Sequence, residues 1–240
     1  MRELFPEVRD LTPDDLAELY GRAAGVRLNM IGSADGAATS GGQSGPLGGA
    51  ADKQLFAFLR SFADVIVIGA GTWRAERYGP VRLPAAVRAR RREAGMAEVP
   101  PIAVITASAQ LDWSRPFFTE AEARPLLLTA SAAPEAQLAE ARQVADVIVA
   151  GDDRVDLADA FQQLQARGFS SVLAEGGPTV GAQLAVAGLL DELCLTISPK
   201  IVAGNAPRIL DGPALPDPLD LTLVHLLEED GFLFLLYRKA

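Results

Sequence analysis

Cysteine and histidine are almost missing from this chain: Cys194 is the one cysteine and His225 the one histidine among 240 residues. A single thiol closes no internal disulfide and builds no cysteine-cluster zinc site. A single imidazole removes the usual catalytic triads and histidine-rich metal sites, so no metal is expected. No run of about 18 apolar residues occurs, which excludes a bilayer-spanning helix. Positive charge is also short, 22 Lys and Arg against 31 Asp and Glu, a net charge of −9. Such a chain binds nucleic acid and anionic membranes poorly, and neither partner is expected. The opening residues Met1-Arg-Glu-Leu-Phe-Pro6 lack the apolar core of a secretion signal, so a cytoplasmic location is the expectation. What is present is a globular balance, 49% hydrophobic and 22% charged, long enough to bury one sizeable core.

Residues 1–25 read as a helical lead-in. Thr12 offers an N-cap, Pro13 a first helical residue, and Asp14 and Asp15 an acidic first turn. Residues 26–240 read as the main domain. Val26–Ile31 alternates like a strand and runs into a Gly/Ser/Ala stretch over Gly32–Ala51, a length that points to function. Asp52–Ala63 reads as a helix with Leu55, Phe56, Leu59 and Phe62 on one face. Val65–Ile68 is a β-branched run suited to a buried parallel strand, and Trp73–Glu76 a short helix. The basic run Arg88–Arg92 reads as a solvated helix face. Apolar runs at Ile102–Ile105, Pro125–Leu128 and Val147–Val149 read as strands. A helix is expected over Val155–Arg167 with Gly168 at its C-terminus, then a strand over Ser171–Ala174 and a helix opened by Pro178. Asp191–Ile201 and Gly231–Tyr237 close the chain as strands. Alternating strands and helices followed by strands predict an α/β fold: a mainly parallel twisted sheet, helices on both faces and antiparallel C-terminal strands.

Ligands of open α/β sheets bind outside the carboxyl ends of strands. Gly32–Gly49, Gly69–Thr72 and Glu175–Thr179 all fall at such ends. Gly69-Ala-Gly-Thr72 joins a strand to a helix, where glycines let backbone N–H groups approach a phosphate; tight packing is the alternative. Arg74 stands where a dinucleotide fingerprint needs glycine, and no P-loop is present. Glu175-Gly-Gly-Pro-Thr179 repeats the same arrangement, and two such turns point to a diphosphate ligand. Asp35, Asp52 and Glu175 are the carboxylates near these loops. Asp35-Gly36 also reads as a turn, and Asp52 as a helix N-cap. His225 and Cys194 read as structural.

Four segments carry a resemblance. They are Asn29–Gly36 (Asn-Met-Ile-Gly-Ser-Ala-Asp-Gly), Val65–Thr72 (Val-Ile-Val-Ile-Gly-Ala-Gly-Thr), Ala174–Thr179 (Ala-Glu-Gly-Gly-Pro-Thr) and Asp191–Lys200. In this order and spacing the chain resembles the reductase domain of the bifunctional riboflavin-biosynthesis deaminase–reductase, a pyrimidine reductase family with a dihydrofolate reductase-like fold. The resemblance implies NADPH in an extended pose, its diphosphate between the two helix N-termini. Cofactor contacts would come from Ile31, Gly69, Gly71, Thr72 and Glu76, and from Gly176, Gly177, Pro178, Thr179 and Val180. Thr106 or Ser108 falls where the family places the 2′-phosphate. Ser44, Arg60, Arg82 and Glu175 match positions that hold a ribosyl-phosphate pyrimidine, with Arg82 the phosphate clamp by chemistry.

The sequence departs from the family pattern at two places. Glu76-Arg-Tyr-Gly-Pro80 replaces an Asp-Asn-Pro stretch, and Ser44-Gly-Pro46 replaces Ser-x-Trp. Both departures resemble a free-standing branch without the deaminase, whose zinc site one cysteine and one histidine cannot build. The implied activity is NADPH-dependent reduction of the ribosyl group of a 5-amino-6-(5-phosphoribosylamino)uracil-like pyrimidine to ribityl. Asp52 would face the heterocycle and bind it, by analogy to the carboxylate on the first helix of dihydrofolate reductases. Asp35 and Glu175 are the other catalytic candidates. A pterin or dihydrofolate substrate, or cofactor binding without catalysis, are the competing readings. A homodimer through the C-terminal strands is also implied.

Overall fold

The computed structural model describes residues 1–240. Two compact units make up the chain, one from residues 1–62 and 173–240, the other from residues 63–172. The first unit begins with strands β1 (Arg2–Phe5) and β2 (Arg9–Asp10), helix α1 (Pro13–Tyr20), strand β3 (Gly25–Ser33) and helix α2 (Ala50–Arg60). The second holds β4 (Val65–Gly69), α3 (Ala70–Ala75), α4 (Ala85–Glu93), β5 (Ile102–Ile105), α5 (Pro116–Thr119), β6 (Leu126–Thr129), α6 (Glu135–Val144), β7 (Asp146–Val149) and α7 (Leu157–Ala166). The division falls inside β8 (Ser171–Ala174). The first unit resumes with α8 (Pro178–Val186), β9 (Glu192–Ser198), β10 (Leu221–Glu229) and β11 (Phe232–Lys239).

In the second unit the strands run β4-β5-β6-β7, every pair parallel. β4, β5 and β6 are buried along their whole lengths, as continuous apolar runs require. Helix α7 stops where glycine permits: Gly168 takes φ +90°, its N–H reaches Gln165 O, and the Phe169 N–H reaches Leu164 O. α6 has no counterpart among the expected elements, because only Leu138 and Ala141 of its ten residues are buried and that stripe is too thin to read. The basic helix α4 corrects one expectation. Arg91 is not on a solvated face but 2% exposed. Its guanidinium donates to the Ala97 and Ala63 carbonyls at 2.7 and 2.9 Å, bonds that offset part of the cost of burying it.

In the first unit the order is β2-β1-β10-β11-β9-β3-β8. β3 is parallel to β9, while β9, β11, β10, β1 and β2 pair antiparallel in turn. With the parallel strands of the second unit, this is the α/β architecture that the sequence predicts. The lead-in departs from its helical reading, since two strands precede α1. Their apolar pattern is absent because the buried residue of β1 is Glu3. Arg9 Nε at 2.7 Å and His225 Nδ1 at 3.0 Å hold that carboxylate. α1 itself starts as its residues direct: Thr12 and Asp15 exchange side-chain and backbone hydrogen bonds in a capping box.

Pairing fixes which side chains share a face of the first unit's sheet. Leu28 opposes Leu193 on one face, and Ile31 opposes Thr196 on the other. α8 covers the Leu28 face: a Cβ on Gly181 would meet Leu28 Cδ2 at 3.1 Å and Leu210 Cδ2 at 2.6 Å. α2 covers the Thr196 face, its cap residue Gly49 lying against the Phe232 ring. Both faces of this sheet therefore carry a helix.

Candidate functional site

The long loop before α2 delivers Asp52 to the Thr196 face. The expected helix start at Asp52 is two residues late, since α2 begins at Ala50 with Gly49 as N-cap. The N-cap reading of Asp52 is thereby overturned. Its side chain turns to the sheet, where the Thr196 hydroxyl donates to it. Burial pushes the Asp52 carboxyl above the usual carboxylate range, against the opposing pull of Thr196, Lys53 and Lys200. A side chain at Gly48 would meet Asp52 Oδ2 at 2.9 Å, so loop backbone forms one wall of this carboxylate's surroundings. Ile31, opposite Thr196, adds an apolar neighbour on the same face.

Arg60 ends α2, and Glu175 follows β8. The structure brings these two expected substrate residues into one fork: Arg60 Nε lies 2.6 Å from Glu175 Oε1 and Nη2 2.7 Å from Oε2. The Glu175 side chain is 0% exposed and that of Arg60 18%. The guanidinium also lies over the Phe56 ring at 4.3 Å. Parallel bonds of this kind fix direction as well as charge.

After Glu175 the chain turns through Gly176, whose φ of +89° only glycine adopts easily, with Met30 packed close beneath. Gly177 caps α8 without a side-chain bond and Pro178 is the first helical residue. The backbone N–H groups of Thr179 and Val180 therefore sit in the first turn, where helices leave donors without intrahelical partners. Gly177 and Pro178 are half-buried, Thr179 is exposed and Val180 buried.

Asp35, a catalytic candidate that also read as part of a turn, is held by the loops around it. Its carboxylate accepts from Ser33 Oγ, from Ala203 N at 2.7 Å and from Val202 N at 3.1 Å. These donors lower its pKa to about 2. It ties the turn after β3 to the segment after β9. Ser44 is half-buried in the loop ahead of α2, its carbonyl accepting from Leu47 N.

In the second unit, β4 leads straight into α3. Gly69 is the N-cap with ordinary φ, and Gly71 and Thr72 already belong to the first turn. Gly71 is exposed with open space where a Cβ would stand, so bulk is kept off this helix start. Glu76 caps the other end of α3. The Thr106 and Ser108 hydroxyls, beyond β5, lie 3.4 Å apart. Arg82, the expected clamp, is exposed and held by Glu122 at 2.9 Å and by the Glu120 carbonyl at 3.2 Å. An anion at Arg82 would have to displace a carboxylate.

Three residues near Asp52 were not singled out from the sequence: Thr196, Ser198 and Lys200. The alternation of Glu192, Cys194, Thr196 and Ser198 along β9 was the available signal, since all four share one face. Cys194, on that face, is buried, and burial pushes its thiol up to about 12, in keeping with inert packing.

The family model of the RibD C-terminal domain matches residues 24–231. A pyrimidine reductase-like protein from Corynebacterium diphtheriae is 33% identical and superposes with a TM-score of 0.83, over 90% of this chain and 92% of that one. The 2,5-diamino-6-ribosylamino-4(3H)-pyrimidinone 5′-phosphate reductase of Methanothermobacter thermautotrophicus is 29% identical over 204 residues, 84% of this chain and 90% of the relative. A dihydrofolate reductase from Enterococcus faecalis, 12% identical, covers 89% of this chain and 95% of its own with a TM-score of 0.50, a likeness of fold alone. No helix is long and apolar enough to cross a membrane.

Proposed function

The chain belongs to the RibD C-terminal domain family, and from that premise we propose that it is an NADPH-dependent reductase of a phosphoribosylamino pyrimidine, converting the ribosyl group to ribityl. The observation that carries the reading is the half-buried Asp52 carboxylate, held by Thr196 on the sheet face that also bears Ile31. Bound NADPH would supply the hydride, added to a sugar carbon opened to C=N or C=O. Hydride at that carbon and one proton at the attached nitrogen or oxygen complete the reduction.

The chain's own residues bind and orient. Asp52 accepts hydrogen bonds from the amino-pyrimidine edge. The Arg60–Glu175 fork holds the substrate's polar chain, with Ser44 and Arg82 as further contacts. For the cofactor, two helix starts, each taken by itself, have features that suit a phosphate. Gly69, Gly71 and Thr72 leave the first open, and Gly176, Gly177, Pro178, Thr179 and Val180 present backbone donors at the second. Glu76 and Ile31 are further cofactor contacts, and the Thr106–Ser108 hydroxyl pair is suited to a 2′-phosphate, which favours NADPH over NADH. Asp35, with its oxygens occupied by the loop, serves as a positioning group.

The test is a spectrophotometric panel: NADPH and NADH oxidation against the ribosylamino pyrimidine phosphates, with and without a 2-amino group, and against dihydrofolate. Turnover of a pyrimidine with NADPH is expected. Turnover of dihydrofolate alone would move the assignment to a pterin reductase, and cofactor binding without any turnover would remove catalysis from it.

A homodimer through the C-terminal strands completes the proposal. Along β11, Phe232, Phe234 and Leu236 are buried, while Leu233, Leu235 and Tyr237 stay half-exposed beside Leu195 and Ile197 of β9. One face of this strand is thus covered within the chain, and a second copy would cover the other. Sedimentation at micromolar concentration should give twice the chain mass of 25.3 kDa; a stable monomer there would reject the dimer.

A further inference from the structure

Beyond β9 the alternation of its Thr196 face continues for one more step. Thr196 bonds Asp52, Ser198 Oγ donates to the Leu47 carbonyl at 2.7 Å, and Lys200 Nζ reaches three successive carbonyls. Those are Pro46 at 2.5 Å, Leu47 at 3.2 Å and Gly48 at 3.3 Å. An ammonium has three donors, and here all three have acceptors on one short loop. That loop ends at Gly48, whose backbone walls the Asp52 carboxylate, and it leads into α2 through Gly49. The other side of Lys200 is held as well: Ala34 N donates to the Lys200 carbonyl at 2.9 Å, and Asp35 clasps Val202 and Ala203. Lys200 is therefore fixed by its backbone on one side and by its side chain on the other.

We propose that Lys200 is a positioning residue for Asp52: it fastens the Pro46–Gly48 loop to the end of β9 and keeps a cation at the carboxylate that receives the substrate. The proposal rests on the reading of Asp52 as a substrate contact. The groups facing Asp52 are few. Lys53 is its neighbour on α2, Lys200 and the Thr196 hydroxyl come from β9 and its extension, and the contact from β11 at this helix start is the apolar Phe232 ring. Removing Lys200 takes away one of two cations that favour the ionised carboxylate and loosens the wall beside it, so Asp52 should protonate at higher pH.

The experiment is a carbon-13 carboxylate titration of the full chain by NMR, with Asp52→Asn assigning the resonance, for the parent, Lys200→Met and Lys200→Arg. In Lys200→Met the Asp52 midpoint should rise by about half a pH unit, and in Lys200→Arg it should stay near the parent value. With pyrimidine and NADPH, kcat/KM of Lys200→Met should fall about threefold further on the acid limb than on the plateau, and arginine should restore it. If Lys200→Met does not fold, Lys200→Gln, which keeps a donor but no charge, takes its place. A folded neutral variant with the parent's midpoint overturns the proposal. The titration needs no substrate, so it decides Lys200 even if the parent turns over no pyrimidine, a result that would instead fail the functional reading.

Discussion

Replacing Arg60 with leucine will destabilise the folded chain by about 3–5 kcal/mol, the usual cost of stripping one partner from a buried ion pair. Glu175 is the reason, for its side chain is 0% exposed. Both of its oxygens take guanidinium bonds, at 2.6 and 2.7 Å. Leucine keeps the apolar contact with Phe56 but leaves the carboxylate without its fork. Lysine at 60 keeps a charge and loses the paired geometry, so its loss should be intermediate. The double change Arg60→Leu with Glu175→Met removes both charges and should recover most of the stability while abolishing substrate affinity. Urea unfolding of the three variants is the measurement. An Arg60→Leu loss below about 1 kcal/mol would mean that the pair behaves like a surface contact.

Asp52→Asn should do the opposite, lowering activity and sparing the fold. As the proposed acceptor for the heterocycle, Asp52 would give a charged hydrogen bond that asparagine cannot replace. A ten- to hundredfold fall in kcat/KM, roughly 1.4 to 2.7 kcal/mol, is expected with NADPH affinity intact. The stability sign follows from the raised pKa of Asp52, whose main cause is burial. A carboxyl whose folded pKa exceeds its unfolded value favours folding when protonated. That contribution is complete below the unfolded pKa and is lost as pH rises through the folded one. At neutral pH the parent therefore holds a disfavoured charge, and the asparagine variant should melt no lower than the parent. The parent's kcat/KM should fall on the acid side at a pH above the ordinary aspartate value of about 4. The variant should lack that limb. Parental turnover in Asp52→Asn would remove Asp52 from the site.

Much of the fold was legible because its signals are local. The buried run Val65–Ile68, the Thr12 N-cap, Pro178 at the start of α8 and Gly168 at the end of α7 each act within a turn or a strand. Elements with thin patterns escaped the reading. α6 buries two residues of ten, and β1 buries a glutamate. At the site, Asp52 read equally as a cap or a contact, because a carboxylate at a helix start suits both. The three-residue shift that put Gly49 rather than Asp52 at the cap depends on neither composition nor periodicity: Gly49 lies against the Phe232 ring, 183 positions along the chain, where a side chain would clash.

The sequence by itself determined the class of fold, the family, and the turns at which carboxylates, glycines and helix starts gather, since backbone preferences and residue chemistry at short range specify these. Only the tertiary structure decided how those groups are used. Arg60 and Glu175 are 115 positions apart, and Lys200 lies 152 to 154 positions from the carbonyls it holds. Asp52 acquires its hydroxyl donor, its cation and its burial together when β3 pairs with β9 and α2 settles on the face they share. A charged group's strength depends on what surrounds it, and in this chain the surroundings come from segments that meet only in the folded state.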